Sequence, residues 1–86
     1  MPFVYIVRCA DGTYYTGWAM DVARRVAAHN AGRGSRYIRT RRPVTLVYQE
    51  TAPDRSSAMR REGAIKRYDR EQKERLITRW EGAPDP

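Results

Sequence analysis

Phe3 to Val7 is an unbroken run of aromatic, β-branched and aliphatic residues, the pattern of a strand buried on both faces. Asp11-Gly12 then gives a tight-turn signal, and Tyr14 to Trp18 reads as a second strand, so the two predict a hairpin. Beyond it the apolar spacing changes to a helical period. Asp21 can cap a helix over about 22–31, and Gly32 suits the position just past its end. Positions 33–42 read as a basic loop with room for one helical turn, closed by Pro43. Val44 to Tyr48 is a third strand, ended by Pro53-Asp54. Asp54 or Ser56 can cap a helix over about 55–68. Asp69 can cap a last helix through Trp80, with Leu76, Ile77 and Trp80 on its apolar side; Glu81 to Pro86 reads as a frayed tail. The order β-β-α-β-α-α predicts an α+β fold, one domain over 1–80 with a small three-stranded antiparallel sheet flanked by helices.

Composition narrows the partners. A chain of 86 residues makes one domain with a small core. The single cysteine, Cys9, leaves no internal disulfide and no Cys-rich zinc site. No apolar run reaches the roughly 18 residues a membrane span needs, and no signal-like segment opens the chain, so a reducing cytoplasm is the expected compartment. The net charge is +7, and residues 22–49 account for it with seven arginines and no acid. Five of these, Arg33, Arg36, Arg39, Arg41 and Arg42, lie close together with Tyr37 among them. Guanidinium groups neutralise phosphates and aromatic rings stack on bases, so a nucleic acid is the natural partner. An arginine-biased composition with nonspecific polyanion affinity is the plainer alternative.

Three sets of residues have positions that suggest chemistry. On a helical wheel of the segment after Asp54, Glu62 falls between Met59 on one side and Ala58 and Ile65 on the other, which sets a carboxylate inside the apparent apolar face. A buried charge is costly, so a metal ion, a cationic partner, an i,i+4 pair with Lys66 or an ion pair with an arginine elsewhere has to compensate. On the first helix, Val22 and Val26 mark the buried stripe. Arg25 and His29, four apart, fall at its rim, while Arg24 points away. A solvated arginine and a half-buried structural histidine would satisfy the same spacing. Tyr5 and Tyr15 lie on opposite arms of the hairpin and can each present a phenol on one sheet face, although tyrosine is common in strands for packing alone.

Taken together, these residues resemble the GIY-YIG nuclease superfamily. Val4-Tyr5-Ile6 stands in place of the first triplet and Tyr15-Thr16-Gly17 in place of the second. The Arg-x-x-x-His helix motif matches Arg25 to His29, and the acidic metal ligand after the third strand matches Glu62. The resemblance covers about residues 2–80. It is nearest to the small stand-alone, single-domain bacterial branch, whose Gly-x-Gly segment, Tyr and basic stretch before a Pro match Gly32 through Pro43. The first triplet lacks its glycine and its literal order, so Tyr5 is the residue that carries over; Thr16 replaces isoleucine in the second. The resemblance implies a metal-dependent endonuclease that hydrolyses DNA phosphodiester bonds with little sequence specificity, in a setting such as repair or recombination. Its implied site is Tyr5, Tyr15, Arg25, His29 and Glu62. Glu62 would hold one Mg²⁺ or Mn²⁺ ion bound to a nonbridging and to the leaving 3′ oxygen, and Arg25 would neutralise the scissile phosphate. Tyr5 would take the proton of the attacking water, with Tyr15 and His29 assisting. A non-catalytic nucleic-acid-binding module, or a domain whose basic loop docks an acidic protein, are the alternatives; both make Glu62 dispensable. Oligomeric state is left open.

Overall fold

β1 (Phe3–Arg8) runs down the middle of the sheet, between β2 (Tyr14–Ala19) and β3 (Thr45–Thr51), and is antiparallel to both. The computed structural model describes residues 1–81, so the expected tail lies outside the described residues except for Glu81, which ends the last helix. The central place of β1 accounts for its composition. Val4, Tyr5, Ile6 and Val7 are all fully buried, alternate residues facing opposite layers.

The helices form those layers. α1 (Val22–Asn30) and the single turn α2 (Arg36–Arg39) cover one face, around Tyr5, Val7, Val22, Ile38 and Val44. α3 (Arg55–Lys66) and α4 (Arg70–Glu81) cover the other, around Val4, Ile6, Val47, Ala58, Ile65 and Ile77. This is the predicted order, with the optional turn in the basic segment formed as α2. The caps are those expected. Asp21 accepts from the Arg24 N–H at 3.0 Å, Asp54 from Ser57 N–H at 2.7 Å and Asp69 from Gln72 N–H at 2.8 Å. Gly32, at φ 84°, closes α1 and lets the Arg33 N–H reach the Ala28 carbonyl at 2.9 Å.

Two features depart from the sequence reading. β3 continues to Thr51, past the expected end at Tyr48. Gln49 and Glu50 are polar, but the Glu50 carboxylate is held by the forked guanidinium of Arg61, at 3.0–3.2 Å, and by the Tyr48 hydroxyl. A register shift between Ile6 and Val7, where Val47 is the extra residue, also puts the neighbours Val47 and Tyr48 on the same α3/α4 side instead of on opposite faces. The second departure is Met59, which is 56% exposed rather than part of the apolar face of α3. Ala58 and Ile65 alone set that stripe, and Met59, the next residue after Ala58, is already turned out of it by the helical rotation.

Thr16 gives a stability test. It is 2% exposed, and its hydroxyl has no hydrogen-bond partner among the described residues. Thr16→Val keeps the shape and removes the unsatisfied group, so we expect stabilisation of about 1 kcal/mol. Thermal melting should show it as a rise of roughly 4–8 °C; an unchanged or lower midpoint would mean that the hydroxyl is satisfied in solution.

Candidate active site

In the β1–β2 register Tyr5 stands directly opposite Gly17. β2 is an edge strand, and Gly17 puts no side chain between Tyr5 and that edge. The Tyr5 phenol lies over the gap: a Cβ built on Gly17 would stand 2.5 Å from its hydroxyl oxygen and 2.7 Å from Cζ. The glycine of the second triplet is therefore what lets a central-strand tyrosine extend across the edge strand.

At that edge the two helical layers meet around a cleft of about 610 Å³. α1 contributes Arg24, Arg25 and Ala28, with Met20 and Asp21 just before it. α3 contributes Arg55 and Glu62. Tyr5, Tyr15, Gly17, Trp18 and Ala19 form the floor and wall. Residues from both sides of the sheet thus share one cavity, and Tyr5, Tyr15, Arg25 and Glu62 are all among them. His29 is not a lining residue. It sits behind Tyr5, 2% exposed, with Nε2 2.9 Å from the Tyr5 Oη and Nδ1 without a hydrogen-bond partner among the described residues. The Gly34 backbone packs against that free nitrogen, since a Cβ there would lie 3.3 Å from Nδ1. Tyr15 meets the His29 ring edge-on, with centroids 5.6 Å apart.

Electrostatics separate the roles of these groups. Burial pushes the Tyr5 phenol up to about 12, with Tyr15 adding to the rise and the Arg25 guanidinium pulling against it. Burial, and then Arg25, hold His29 below the ordinary imidazole value. In the resting protein Tyr5 is a phenol and His29 is neutral. Arg25 is exposed and donates to the Trp18 carbonyl at 3.4 Å. Glu62 keeps 21% of its side chain exposed and pairs with Lys66 at 3.6 Å. The i,i+4 pair and the cleft-facing carboxylate, which the sequence offered as alternatives, therefore coexist.

The basic segment divides. Arg41 pairs with Asp11 at 3.0 Å, donates to the Tyr37 carbonyl at 2.8 Å and lies 3.9 Å over the Tyr37 ring. Arg42 donates to the carbonyls of Arg39 and Asn30 and packs beneath Gly32. Tyr37 stacks in turn on Tyr15, with centroids 6.0 Å apart. Arg41 and Tyr37 brace α2 against the hairpin, and Arg42 ties α2 to the end of α1. Arg33, Arg36 and Arg39 are exposed and have no carboxylate partner among the described residues. Two cleft residues escaped the sequence reading. Arg24, which the wheel turned toward solvent, is exposed but lies on the side along which the cleft runs. Arg55 gave no signal beyond following a helix cap.

Of the two carboxylates in the cleft Asp21 caps α1, so Glu62 is the one that suits a hard, largely hydrated cation, and the described residues contain no group of three or more His, Cys, Asp or Glu that could enclose one. No helix among the described residues is long and apolar enough to cross a membrane. Comparison with known proteins agrees with the geometry. The model of the GIY-YIG catalytic domain matches residues 1–75. A UPF0213 protein of Halobacterium salinarum is 57% identical over 77 residues, covering 90% of this chain and all of that protein. A UPF0213 protein of Staphylococcus epidermidis is 56% identical over 75 residues, covering 87% of this chain and 92% of its own. The solution structure of a UPF0213 protein from Bacillus halodurans superposes with a TM-score of 0.60 at 41% identity, covering 95% of this chain and 88% of the other. A second solution structure, of a protein from E. faecalis, gives 0.62 at 34% identity, with 98% and 90% covered. With its antiparallel sheet, its helix order and this match over most of its length, the chain belongs to the GIY-YIG family.

Proposed function

We propose that the protein is a metal-dependent endonuclease that hydrolyses DNA phosphodiester bonds with little sequence choice. The observation that carries this reading is the convergence of Tyr5, Arg25 and Glu62, from β1, α1 and α3, on one cleft at the sheet edge. A phosphate in that cleft meets the Arg25 guanidinium, whose fixed charge is worth most where charge grows during the reaction. Glu62 would hold a divalent cation such as Mg²⁺ or Mn²⁺, which supplies Lewis-acid stabilisation to the phosphate and the leaving oxygen.

The bond that forms joins a water oxygen to phosphorus; the bond that breaks is P–O3′. Tyr5 faces the cleft and His29 lies behind it, so Tyr5 is the group placed to receive the water's proton. Tyr5 has no exposed surface. The proton therefore reaches it through a relay, and the partly exposed Tyr15 hydroxyl is the group in the cleft wall suited to that. The Tyr5 proton passes on to Nε2 of His29, 2.9 Å away and kept neutral by burial. Exposed Arg33, Arg36 and Arg39 add affinity for phosphates without reading bases.

The test is cleavage of linear and branched DNAs with and without Mg²⁺ or Mn²⁺. Cleavage is expected only with the cation. Because Tyr5 hands its proton to His29, the imidazole must be neutral: the rate should be flat across neutral pH and fall only below the ordinary histidine range, since burial holds the His29 value down. DNA binding without cleavage of any substrate would instead support a non-catalytic module.

A further inference from the structure

Arg24 and Arg55 stand at the same cleft on two different helices, and neither has a carboxylate partner among the described residues. Arg33, Arg36, Arg39 and Arg67 are also without a carboxylate partner among the described residues, but none of them lines the cleft; Arg41, Arg61, Arg70 and Arg75 are paired with Asp11, Glu50, Glu74 and Glu71. With Arg25, Arg24 and Arg55 make three guanidinium groups around a cleft whose acids are Asp21 and Glu62. Asp21 is already committed to capping α1 through the Arg24 N–H, and Glu62 has Lys66. Unpaired like charges gathered in one cavity repel each other unless an anion with several charges joins them.

We propose that Arg24 and Arg55 bind the phosphates on either side of the one that is cut. α1 and α3 cover opposite faces of the sheet. A strand touching both must cross the β2 edge, over Gly17 and the Tyr5 phenol, which places its middle phosphate between Arg25 and Glu62 and its neighbours at Arg24 and Arg55. A guanidinium fork meets a phosphate through two parallel hydrogen bonds, so each arginine fixes the strand's position as well as its charge. This assignment rests on the nuclease reading and extends it to the path of the substrate.

The experiment measures dissociation constants for a mixed-sequence DNA against salt, without divalent cation, in protein carrying Glu62→Gln. Added to that background are Arg24→Ala, Arg55→Ala or Arg67→Ala. Arg67, at the end of α3, is equally exposed and has no carboxylate partner among the described residues, but it is not part of the cleft. Arg24→Ala and Arg55→Ala should each weaken binding about 5–10-fold and flatten the salt slope by about one, with Arg67→Ala within about two-fold of its parent. In the protein with Glu62 intact, both cleft variants should raise KM and spare kcat, whereas Arg25→Ala should lower kcat. Equal losses in all three variants, or no loss at Arg24 and Arg55, would overturn the assignment while leaving the nuclease reading standing. A parent that does not bind DNA at any salt concentration would overturn both.

Discussion

Glu62→Gln should abolish DNA cleavage and leave the melting midpoint nearly unchanged. The substitution keeps the size and the cleft-facing position of the side chain but removes the charge that would hold a hard cation. What the fold loses is the contact with Lys66, a partly exposed i,i+4 pair worth about 0.3–0.5 kcal/mol. The reaction loses much more, because removal of one preorganised electrostatic contact to the transition state costs on the order of 100–1,000-fold. Cleavage of end-labelled DNA in Mg²⁺, set beside a thermal melt of the same preparation, separates the two effects. Cleavage within a few-fold of the parent would remove Glu62 from the metal site. A collapsed melting midpoint would mean instead that the carboxylate serves the fold.

Gly17→Ala should cost nearly as much activity as removing the Tyr5 hydroxyl itself. The new methyl would stand 2.5 Å from that oxygen, closer than a Cβ can approach, so something must shift. Either the phenol swings away from His29 or β2 moves off β1. Loss of a positioned acid–base group costs about 100–10,000-fold, and the overpacking should cost about 1–3 kcal/mol. A double-mutant cycle shows whether the two residues act through the same atom. If they do, Gly17→Ala with Tyr5→Phe should cleave no more slowly than either single variant, so the losses fail to add. Additive losses would show that Gly17 matters for some reason other than the placement of Tyr5.

Much of this was legible along the chain because it is local. The buried strand, the Asp11-Gly12 turn, the Asp21 and Asp54 caps and the Gly32 stop each depend on a few neighbouring residues, and all stand where the sequence put them. The helical wheel put both Arg25 and His29 at the rim of the buried stripe; Arg25 does stand there, at the cleft, but His29 is 2% exposed and lies behind Tyr5, because α2 and the Gly34 backbone close over that side of the helix. What could not be read was the wrapping of the cleft around a sheet edge. A helical wheel knows a helix's own buried stripe but not which side a second layer approaches, so Arg24 looked idle and Arg55 carried no mark. The same reasoning misplaced Met59, where two aliphatic residues were too few to fix the face. The third strand was read only as far as Tyr48 because the partner that holds Glu50, Arg61, is eleven residues away on another element. The five arginines of the basic stretch looked equivalent in sequence; only folding commits Arg41 and Arg42 to internal contacts.

The cleft lies along β2, whose outer backbone edge has no neighbouring strand among the described residues. An unpaired edge is normally where two copies of a protein zip together into aggregates. Here Arg24, Arg25 and Arg55 crowd that edge, so a second copy approaching it would bring three more cations against three. The charges that would gather a nucleic acid therefore also work as gatekeepers of colloidal stability. Neutralising them all at once should make the protein sticky as well as inactive.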